Sequence, residues 1–293
     1  MTDPIRISII IPAFNDQAGI LACLRGIDEQ SYPAGAVEVL VVDNASTPPL
    51  SLEGVPSTNV RLIRCLQPGS YAARNRGVSE AKGEVLVFID ADCWPAGDWL
   101  RQGVDSLVSH GGSRIVGGEV TIVKPCKPTA TALYQQTTGF GQERNVNDRG
   151  FSATANLFCT RRQFDTVGPF DTRLLSGGDR EWCWRAHEHG FDVLFEPRAL
   201  VYTHPRTDLR SAIRQARRVV AGRKMLLKFG LAHIGSHAIA KLRSPWRATS
   251  WILTCRELSV WDRLRVLCVA MLIHMASILE RIRLAMGTPA ERR

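Results

Sequence analysis

The chain has 293 residues, of which 45% are hydrophobic and 22% are charged. This composition excludes a disordered chain, and the length allows one large domain or two smaller ones. The net charge of +9 is unevenly distributed, because residues 206–293 hold 18 lysines and arginines against 5 acidic residues. A basic segment that follows a slightly acidic body predicts contact with an anionic surface.

The eight cysteines form no CxxC pair and no framework of a small disulfide-rich domain, so we expect reduced thiols and a cytoplasmic protein. The apolar run near the N-terminus is too short for the core of a signal peptide and is typical of a first β-strand.

Four apolar runs rich in β-branched residues alternate with segments of helical pattern. The runs lie at 7–11, 37–43, 60–65 and 84–90, and the predicted helices at 16–30 and 71–81. This alternation indicates βαβ units and a mainly parallel sheet. The runs lack a polar face, so we expect helices to cover both faces of the sheet.

Polar tips follow three of these strands: PAFN at 12–15, DNAS at 43–46 and DADC at 90–93. In parallel sheets the ligand binds beyond the carboxyl ends of the strands, so the three tips predict a nucleotide site. Neither GxGxxG nor GxxxxGK[ST] occurs in the chain, which excludes a glycine-rich phosphate loop.

Another group must therefore balance the charge of a nucleoside diphosphate, and Asp90 and Asp92 could do so by holding a divalent cation. Mg²⁺ typically joins one or two carboxylates to substrate phosphates. An isolated pair of this kind could equally cap the turn before Pro95. Its position at the end of a buried strand favours the metal site.

Together these motifs resemble glycosyltransferase family 2, whose members have the GT-A fold. The resemblance runs from ISIIIPAFND through ARNRGVSEAKGEVLVFIDADCWP to SGGDREWCWRAHEHG at 176–190. It implies an α/β fold, a mainly parallel sheet flanked by helices, with a C-terminal helical extension. We expect a catalytic domain at 1–205, divided into a nucleotide-sugar half at 1–110 and an acceptor half at 111–205, and a basic helical region at 206–293.

The resemblance also implies roles for individual residues at the sugar-donor site. The nucleotide would be held by Pro12, Ala13, Phe14, Asn15, Asp43, Arg74, Asn75, Asp90 and Ala91, and a divalent metal, Mg²⁺ or Mn²⁺, by Asp92 and His204. Alternatives remain open: Asp43 could close an Asx-turn, Arg74 and Asn75 could lie on a solvated helix face, and His204 could be a surface residue.

Asp179 is the candidate general base, because in this family an aspartate before a helix takes the proton of the acceptor hydroxyl. The family usually has Glu-Asp at this point, whereas this chain has Gly178 before Asp179. Asp179 could instead be a plain N-cap, and Glu181 is the reserve candidate.

In the basic C-terminal region, residues 264–279 form the most apolar stretch, which is shorter than the ~20 residues of a spanning helix. Flanking arginines allow a peripheral helix on an anionic membrane, but a helix packed against the protein fits equally well. Nucleic acid is not expected, because no nucleic-acid fold signature accompanies the charge.

The sequence thus predicts an inverting glycosyltransferase that moves a single sugar from a UDP-, dTDP- or GDP-sugar to a glycan or lipid-linked acceptor. Val219 replaces the tryptophan of the QxxRW motif that processive members carry, which favours single transfer. Two alternatives remain: an inactive GT-A-like scaffold protein, and a nucleotidyltransferase of the same fold.

Overall fold

The structure is a computed structural model that describes residues 4–55, 59–125, 128–231, 252–255 and 258–288. The described elements in chain order are β1 (Ile7–Ala13), α1 (Gln17–Asp28), β2 (Val37–Asp43), β3 (Val60–Arg64), α2 (Ser70–Glu80), β4 (Val85–Ile89), β5 (Cys93–Pro95), α3 (Trp99–Ser109), β6 (Arg114–Ile122), α4 (Ala130–Thr138), α5 (Gln142–Arg149), β7 (Asn156–Thr160), α6 (Arg161–Val167), α7 (Gly178–Glu188), β8 (Asp192–Thr203), α8 (Leu209–Lys228) and α9 (Val260–Ala285).

The eight strands form one sheet in the order β3-β2-β1-β4-β7-β6-β8-β5. The half made of β3, β2, β1 and β4 is parallel, as the sequence predicts, with Ile7 opposite both Val37 and Val85. Beyond β4 the pairing becomes antiparallel, since β7 runs against both β4 and β6, and β5 runs against β8. The α/β prediction is confirmed, and the antiparallel half is an addition that the sequence patterns did not indicate.

The strands β1 and β4 are buried along almost their whole length, which explains their uninterrupted apolar runs, whereas the edge strand β3 is mostly exposed. Ile10 is fully buried in β1, and α2 lies directly against it at Gly77. A Cβ atom at Gly77 would lie 2.6 Å from Cγ2 of Ile10, so the glycine allows the close approach of helix and strand. The sheet therefore holds α2 in a fixed position beside the carboxyl ends of β1 and β2.

A buried amide joins the strands of the antiparallel half. Asn156 donates hydrogen bonds of 2.8 Å to the carbonyl oxygens of Glu119 and Ala199, and its Oδ1 accepts one from the indole of Trp99. Each polar atom of this fully buried side chain is thereby satisfied, as burial of an amide requires.

Two compact units are distinguished: Met1–Val120, Gln142–Arg173 and Gly178–Thr203 form the first, and Thr121–Gly141, Leu174–Gly177 and His204–Arg293 the second. The expected division at residue 205 lies close to this boundary, but residues 121–141 and 174–177 group with the C-terminal region. The further division of 1–205 into two halves stays a prediction.

In the second unit α9 packs through one face against the other helices that the structure describes. Val266 and Leu284 on that face are buried, against Leu133 of α4 and Val220 of α8 respectively. Of the helices that the structure describes, none has the length and apolar character to span a bilayer.

Candidate active site

The tips of β1 and β2 are tied together by side chains of the predicted nucleotide site. The backbone N–H of Asn15 donates to Oγ of Ser46, and the N–H of Thr47 donates to Oδ1 of Asn15, each at 2.8 Å. Asn15 has a φ of 52°, a left-handed conformation that asparagine tolerates better than most residues. Pro12 and Ala13 end β1 beside this link, so the structure brings the predicted strand tips together.

Asp43 is buried at the end of β2, with two partners for its carboxylate. Oδ1 accepts from the N–H of Ser46 at 2.8 Å, and Oδ2 accepts from Nη1 of Arg64 at 3.1 Å. The Oδ1 bond closes on the backbone three residues on, one residue further than in the Asx-turn that was the alternative explanation. A carboxylate offers about four acceptor positions, so Asp43 retains capacity for a nucleobase N–H. Its role in reading the base stays a prediction.

Replacing Asp43 with Asn is expected to weaken binding of a metal-free nucleoside diphosphate roughly tenfold, because a hydrogen bond to a charged acceptor is lost. Isothermal titration calorimetry measures the affinity. Arg64→Gln is the matched control, since it breaks the same ion pair but keeps the carboxylate. Equal losses in the two variants, or none in Asp43→Asn, would show that the carboxylate does not bind the nucleotide.

Arg74 and Asp90 meet at the rim, as the resemblance implies. Arg74 is buried, it donates from Nη2 to Oδ1 of Asp90, and its guanidinium lies 5.6 Å from the ring centre of Tyr71. The Nε atom of Arg74 is buried without a partner among the described residues. Asp90 and Asp92 form an Asp-x-Asp pattern, here called the DxD motif. The buried guanidinium of Arg74 thus fixes the first carboxylate of this motif and leaves it partly open to solvent.

The amide of Asn75 is engaged by the backbone of a distant residue. It donates to the carbonyl of Phe170 at 2.8 Å and accepts from the N–H of Phe170 at 3.0 Å. This reciprocal pair joins α2 to the segment before α7. The predicted contact of Asn75 with the ribose is untested, and the geometry gives the residue a positioning role in addition.

Asp92 is exposed, whereas Ala91 before it is buried. The carbonyl of Asp92 accepts from Oγ1 of Thr203 at 3.1 Å, and Cys93 pairs with Thr203 in the sheet. The last residue of β8 therefore anchors the DxD loop through its backbone, and the thiol of Cys93 donates to Oδ1 of Asp92 at 3.8 Å.

The pKa values of two buried thiols reflect the negative charge of Asp90 and Asp92. Burial raises the pKa of Cys23 and of Cys93, and the charges of Asp92 and Asp90 raise both pKa values further. Both thiols are therefore protonated at neutral pH and inert as nucleophiles. An anionic rim with an exposed carboxylate is chemically suited to a divalent cation.

The donor set fits a metal that is shared with substrate. No group of three or more His, Cys, Asp or Glu side chains able to hold a metal occurs among the residues that the structure describes. Mg²⁺ and Mn²⁺ at phosphate sites do not require such a cage, because one or two carboxylates suffice when phosphates and water complete the shell. Asp92 meets this requirement, and the assignment of His204, which directly follows β8, stays a prediction.

Asp179 lies in the first turn of α7, where its carboxylate accepts two hydrogen bonds. Oδ1 accepts from the N–H of Arg180 at 2.8 Å and from the hydroxyl of Tyr71 at 3.4 Å, and the N–H of Gly178 donates to the same hydroxyl at 2.8 Å. Burial raises the pKa of Tyr71, and the charge of Asp179 raises it further, so the phenol stays protonated and can donate.

The ring of Tyr71 also explains the departure at Gly178. A Cβ atom there would lie 2.7 Å from Cε2 of Tyr71, so the ring fills the space that a side chain would need. From α2, the hydroxyl of the same tyrosine reaches Asp179.

Glu181, the reserve candidate, is engaged in an ion pair. Its side chain is 2% exposed, and its Oε2 accepts from Nη2 of Arg185 at 3.1 Å. Arg185 also donates to the carbonyl of Pro169 at 2.7 Å, which fixes the pair against the preceding loop. Glu181 is therefore a structural residue, and Asp179 is the carboxylate that remains partly exposed.

Sequence reasoning missed three residues of this site: Arg64, Tyr71 and Arg180. Arg64 ends β3 at the same rim as the DNAS tip, so the rule that found Asp43 could have found it. Tyr71 and Arg180 carry no such signal, because their positions depend on tertiary contacts.

Comparison with known proteins identifies the family. Residues 8–164, more than half of the chain, match the family described as glycosyl transferase family 2. The glycosyltransferase AglE of Haloferax volcanii is 36% identical over 221 residues, which cover 74% of this chain and 72% of that protein. The chain belongs to glycosyltransferase family 2. It is therefore a sugar-transferring enzyme, as the resemblance implied.

Other relatives and solved structures are also similar to this chain. The pre-mycofactocin glycosyltransferase of Mycobacterium tuberculosis is 26% identical over 87% of this chain and 52% of its own length. The mannosyltransferase PcManGT of Pyrobaculum calidifontis, solved with GDP-Man and Mn²⁺, superposes with a TM-score of 0.61 and 21% identity over 98% of this chain and 87% of that one. TarS 1–349 of S. aureus with UDP-GlcNAc gives 0.54 and 14% identity over 98% and 93%. These likenesses confirm the GT-A fold.

Proposed function

We propose that this family 2 enzyme transfers one sugar from a nucleotide-diphosphate sugar to an acceptor hydroxyl with inversion at the anomeric carbon, using Asp179 as general base. The observation that carries the proposal is the contrast between two neighbouring carboxylates of α7. Asp179 is partly exposed and hydrogen-bonded by Tyr71, whereas Glu181 is buried in an ion pair with Arg185.

The reaction follows from this placement. The acceptor oxygen attacks the anomeric carbon and transfers its proton to Asp179, while the bond from that carbon to the diphosphate oxygen breaks with its electron pair on the oxygen. Asp179 lies in the first turn of α7, where the helix dipole interacts favourably with a negative charge. The hydroxyl of Tyr71 and the N–H of Arg180 bind Oδ1, which leaves Oδ2 to accept the proton.

We propose that the sugar-donor side lies at the tips of β1, β2 and β4, beside the first turns of α2. Asp43 is proposed to accept the imide N–H of the base, and the pair of Arg74 and Asp90 shapes the ribose and phosphate side. When bound, a divalent metal offsets the negative charge that develops on the departing nucleoside diphosphate. We propose Asp92 and His204 as the residues that hold it; the metal and sugar nucleotide named for PcManGT support this choice.

The acceptor is proposed to be a glycan or a lipid-linked glycan. A relative from Methanococcus voltae, 22% identical over 78% of this chain, is named as a transferase acting on dolichyl N-acetylglucosaminyl phosphate. A relative from Erwinia amylovora, 28% identical, is named for amylovoran biosynthesis. Both names concern saccharide chains rather than nucleotides, which supports sugar transfer over a nucleotidyltransferase.

A panel of UDP-, dTDP- and GDP-sugars tests this proposal, each with and without Mn²⁺. We expect one nucleotide class to raise the melting temperature in the presence of the metal and to be hydrolysed slowly when no acceptor is added. If no sugar nucleotide stabilises the protein or turns over with metal present, the proposed function is wrong.

The exposed face of α9 supports a peripheral association with an anionic membrane. At helical spacing, one narrow face carries large apolar side chains that are at least half exposed: Trp261, Leu264, Met271, Met275, Leu279 and Ile282. The helix also holds four arginines against two acidic residues. An apolar stripe with a basic surplus is typical of a helix that lies in the plane of a lipid surface. We therefore propose lipid contact for the exposed face of α9, while its other face packs within the protein.

We expect the full chain to sediment with phosphatidylserine vesicles at low salt and to be released as salt screens the arginines. Leu264→Gln and Leu279→Gln should each weaken binding roughly tenfold, because each removes an apolar side chain from the lipid. Leu66→Gln is the matched control, since Leu66 is exposed in the first unit. Undiminished sedimentation of the α9 variants would exclude the helix as the membrane contact.

A further inference from the structure

A guanidinium lies next to the proposed base with no acceptor of its own. Arg180 follows Asp179 in α7, and its guanidinium stacks on the ring of Phe151 at 4.4 Å and lies 5.8 Å from the ring centre of Trp184. The Nε atom is buried and has no hydrogen-bond partner within the described part of the chain. Among the residues that the structure describes, no carboxylate forms an ion pair with this side chain.

A second arginine increases the local positive charge. The indole of Trp184 donates to the carbonyl of Arg149 at 3.1 Å, which holds the end of α5 beside Arg180. Burial lowers the pKa of Arg180, and the positive charge of Arg149 lowers it further, whereas Asp179 opposes the shift. Arg180 remains charged because guanidinium groups keep their proton in proteins.

Arg180 is partly exposed, but the burial of its Nε withdraws part of the guanidinium from water without a hydrogen-bond acceptor, which is costly, and a bound anion would supply a charge partner. The planar fork of arginine matches phosphate and carboxylate oxygens. The rings of Phe151 and Trp184 lie against the Arg180 guanidinium, so an anion would bind at the N–H groups in the guanidinium plane.

We propose that Arg180, assisted by Arg149, binds an anionic group of the acceptor, a phosphate or a carboxylate, beside Asp179. The inference rests on the proposed function, since it assigns the α7 side to the acceptor. The backbone N–H of Arg180 already binds Asp179, so one residue orients the base and the substrate that the base deprotonates. The acceptor is then an acidic or phosphate-bearing saccharide rather than a neutral one.

The test uses the full chain and inorganic phosphate in a buffer without other polyvalent anions, with potassium chloride at equal ionic strength as reference. We expect phosphate to raise the melting temperature, and to do so equally when nucleoside diphosphate and Mn²⁺ are saturating, because the two sites are separate. No rise with phosphate alone overturns the proposal. A rise that disappears when the nucleotide is present assigns the anion to the sugar donor and also overturns it.

Arg180→Gln should raise the dissociation constant for phosphate at least about tenfold, because a hydrogen bond from a charged donor is lost. Its affinity for nucleoside diphosphate should stay unchanged. Arg162→Gln removes an exposed arginine of α6 and is expected to change neither. Unchanged phosphate binding in Arg180→Gln, or an equal loss in Arg162→Gln, contradicts the site.

If Arg180→Gln does not fold, Arg180→Lys retains the charge without the fork and should bind phosphate more weakly than the native chain. Phosphate binding as tight as in the native chain would then overturn the proposal. The two hypotheses fail separately: loss of the phosphate effect with intact sugar-nucleotide turnover removes only the anion site, whereas phosphate binding without turnover removes the proposed function.

Discussion

Replacing Asp179 with Asn is expected to lower sugar transfer by roughly 10²–10⁴, the usual contribution of a general base. Asparagine keeps the size of the side chain and the oxygen that accepts from Arg180 N–H, so the fold of α7 should survive. The amide cannot take a proton from the acceptor hydroxyl. Affinity for nucleoside diphosphate should remain native, and the loss should appear in the catalytic rate, measured by release of nucleoside diphosphate.

Glu181→Gln is the matched control, since it changes a carboxylate two residues away in the same helix. It leaves the guanidinium of Arg185 half-buried without its ionic partner, so we expect lower thermal stability. Turnover per folded molecule should stay near native. Near-native transfer in Asp179→Asn together with an inactive but folded Glu181→Gln would reverse the assignment.

Replacing Asp92 with Asn is expected to abolish the metal dependence of nucleoside diphosphate binding. Asp92 is exposed and its backbone is anchored by Thr203, so the loop should keep its conformation when one charge is removed. Divalent cations at phosphate sites depend strongly on the few carboxylates that the protein supplies. Calorimetric titrations give the affinity of Asp92→Asn for nucleoside diphosphate with and without Mn²⁺, and the ratio of the two affinities should fall to about one.

Asp28→Asn is the control for charge alone, because Asp28 is an exposed carboxylate at the end of α1. It should leave the affinity ratio with and without metal unchanged. If Asp92→Asn retains the native ratio, the metal is held elsewhere and the DxD motif caps its loop only.

The parallel half of the sheet could be predicted because each of its strands carries its own signal. β1 and β4 are buried along their whole length or nearly so, and a doubly buried strand gives an uninterrupted apolar run. β8 mixes buried and partly exposed residues, and it pairs with β5 through Cys93 and Thr203, which are far apart in the chain. Such pairings leave no local pattern, so the antiparallel half was not foreseen.

The residues of the candidate site divide in the same way, into those that a local sequence pattern predicts and those that depend on distant contacts. Asp90, Asp92 and Asp179 were found because each follows a strand or opens a helix, where the fold places polar side chains at the rim. Tyr71 contacts Gly178, which lies 107 positions further along the chain, and no spacing predicts that contact. The missing glutamate at 178 was visible in the sequence, but its physical reason, the ring of Tyr71, required the structure.

The C-terminal helix was ambiguous for a related reason. Its apolar content alone is compatible with packing and with lipid contact. The structure assigns Val266 and Leu284 to the packed face and leaves Trp261 and Met275 exposed. The helical spacing of the apolar residues in the sequence is compatible with both faces of α9. It does not say which face packs against the protein.

The configuration of the released sugar tests the central claim most directly. A single displacement with Asp179 as base must invert the anomeric carbon, whether the attacking oxygen comes from an acceptor or from water. Nuclear magnetic resonance of the first sugar formed by hydrolysis of the preferred sugar nucleotide, recorded before mutarotation, reads that configuration. We predict the anomer opposite to that of the sugar donor, and retention of the donor configuration would contradict the mechanism.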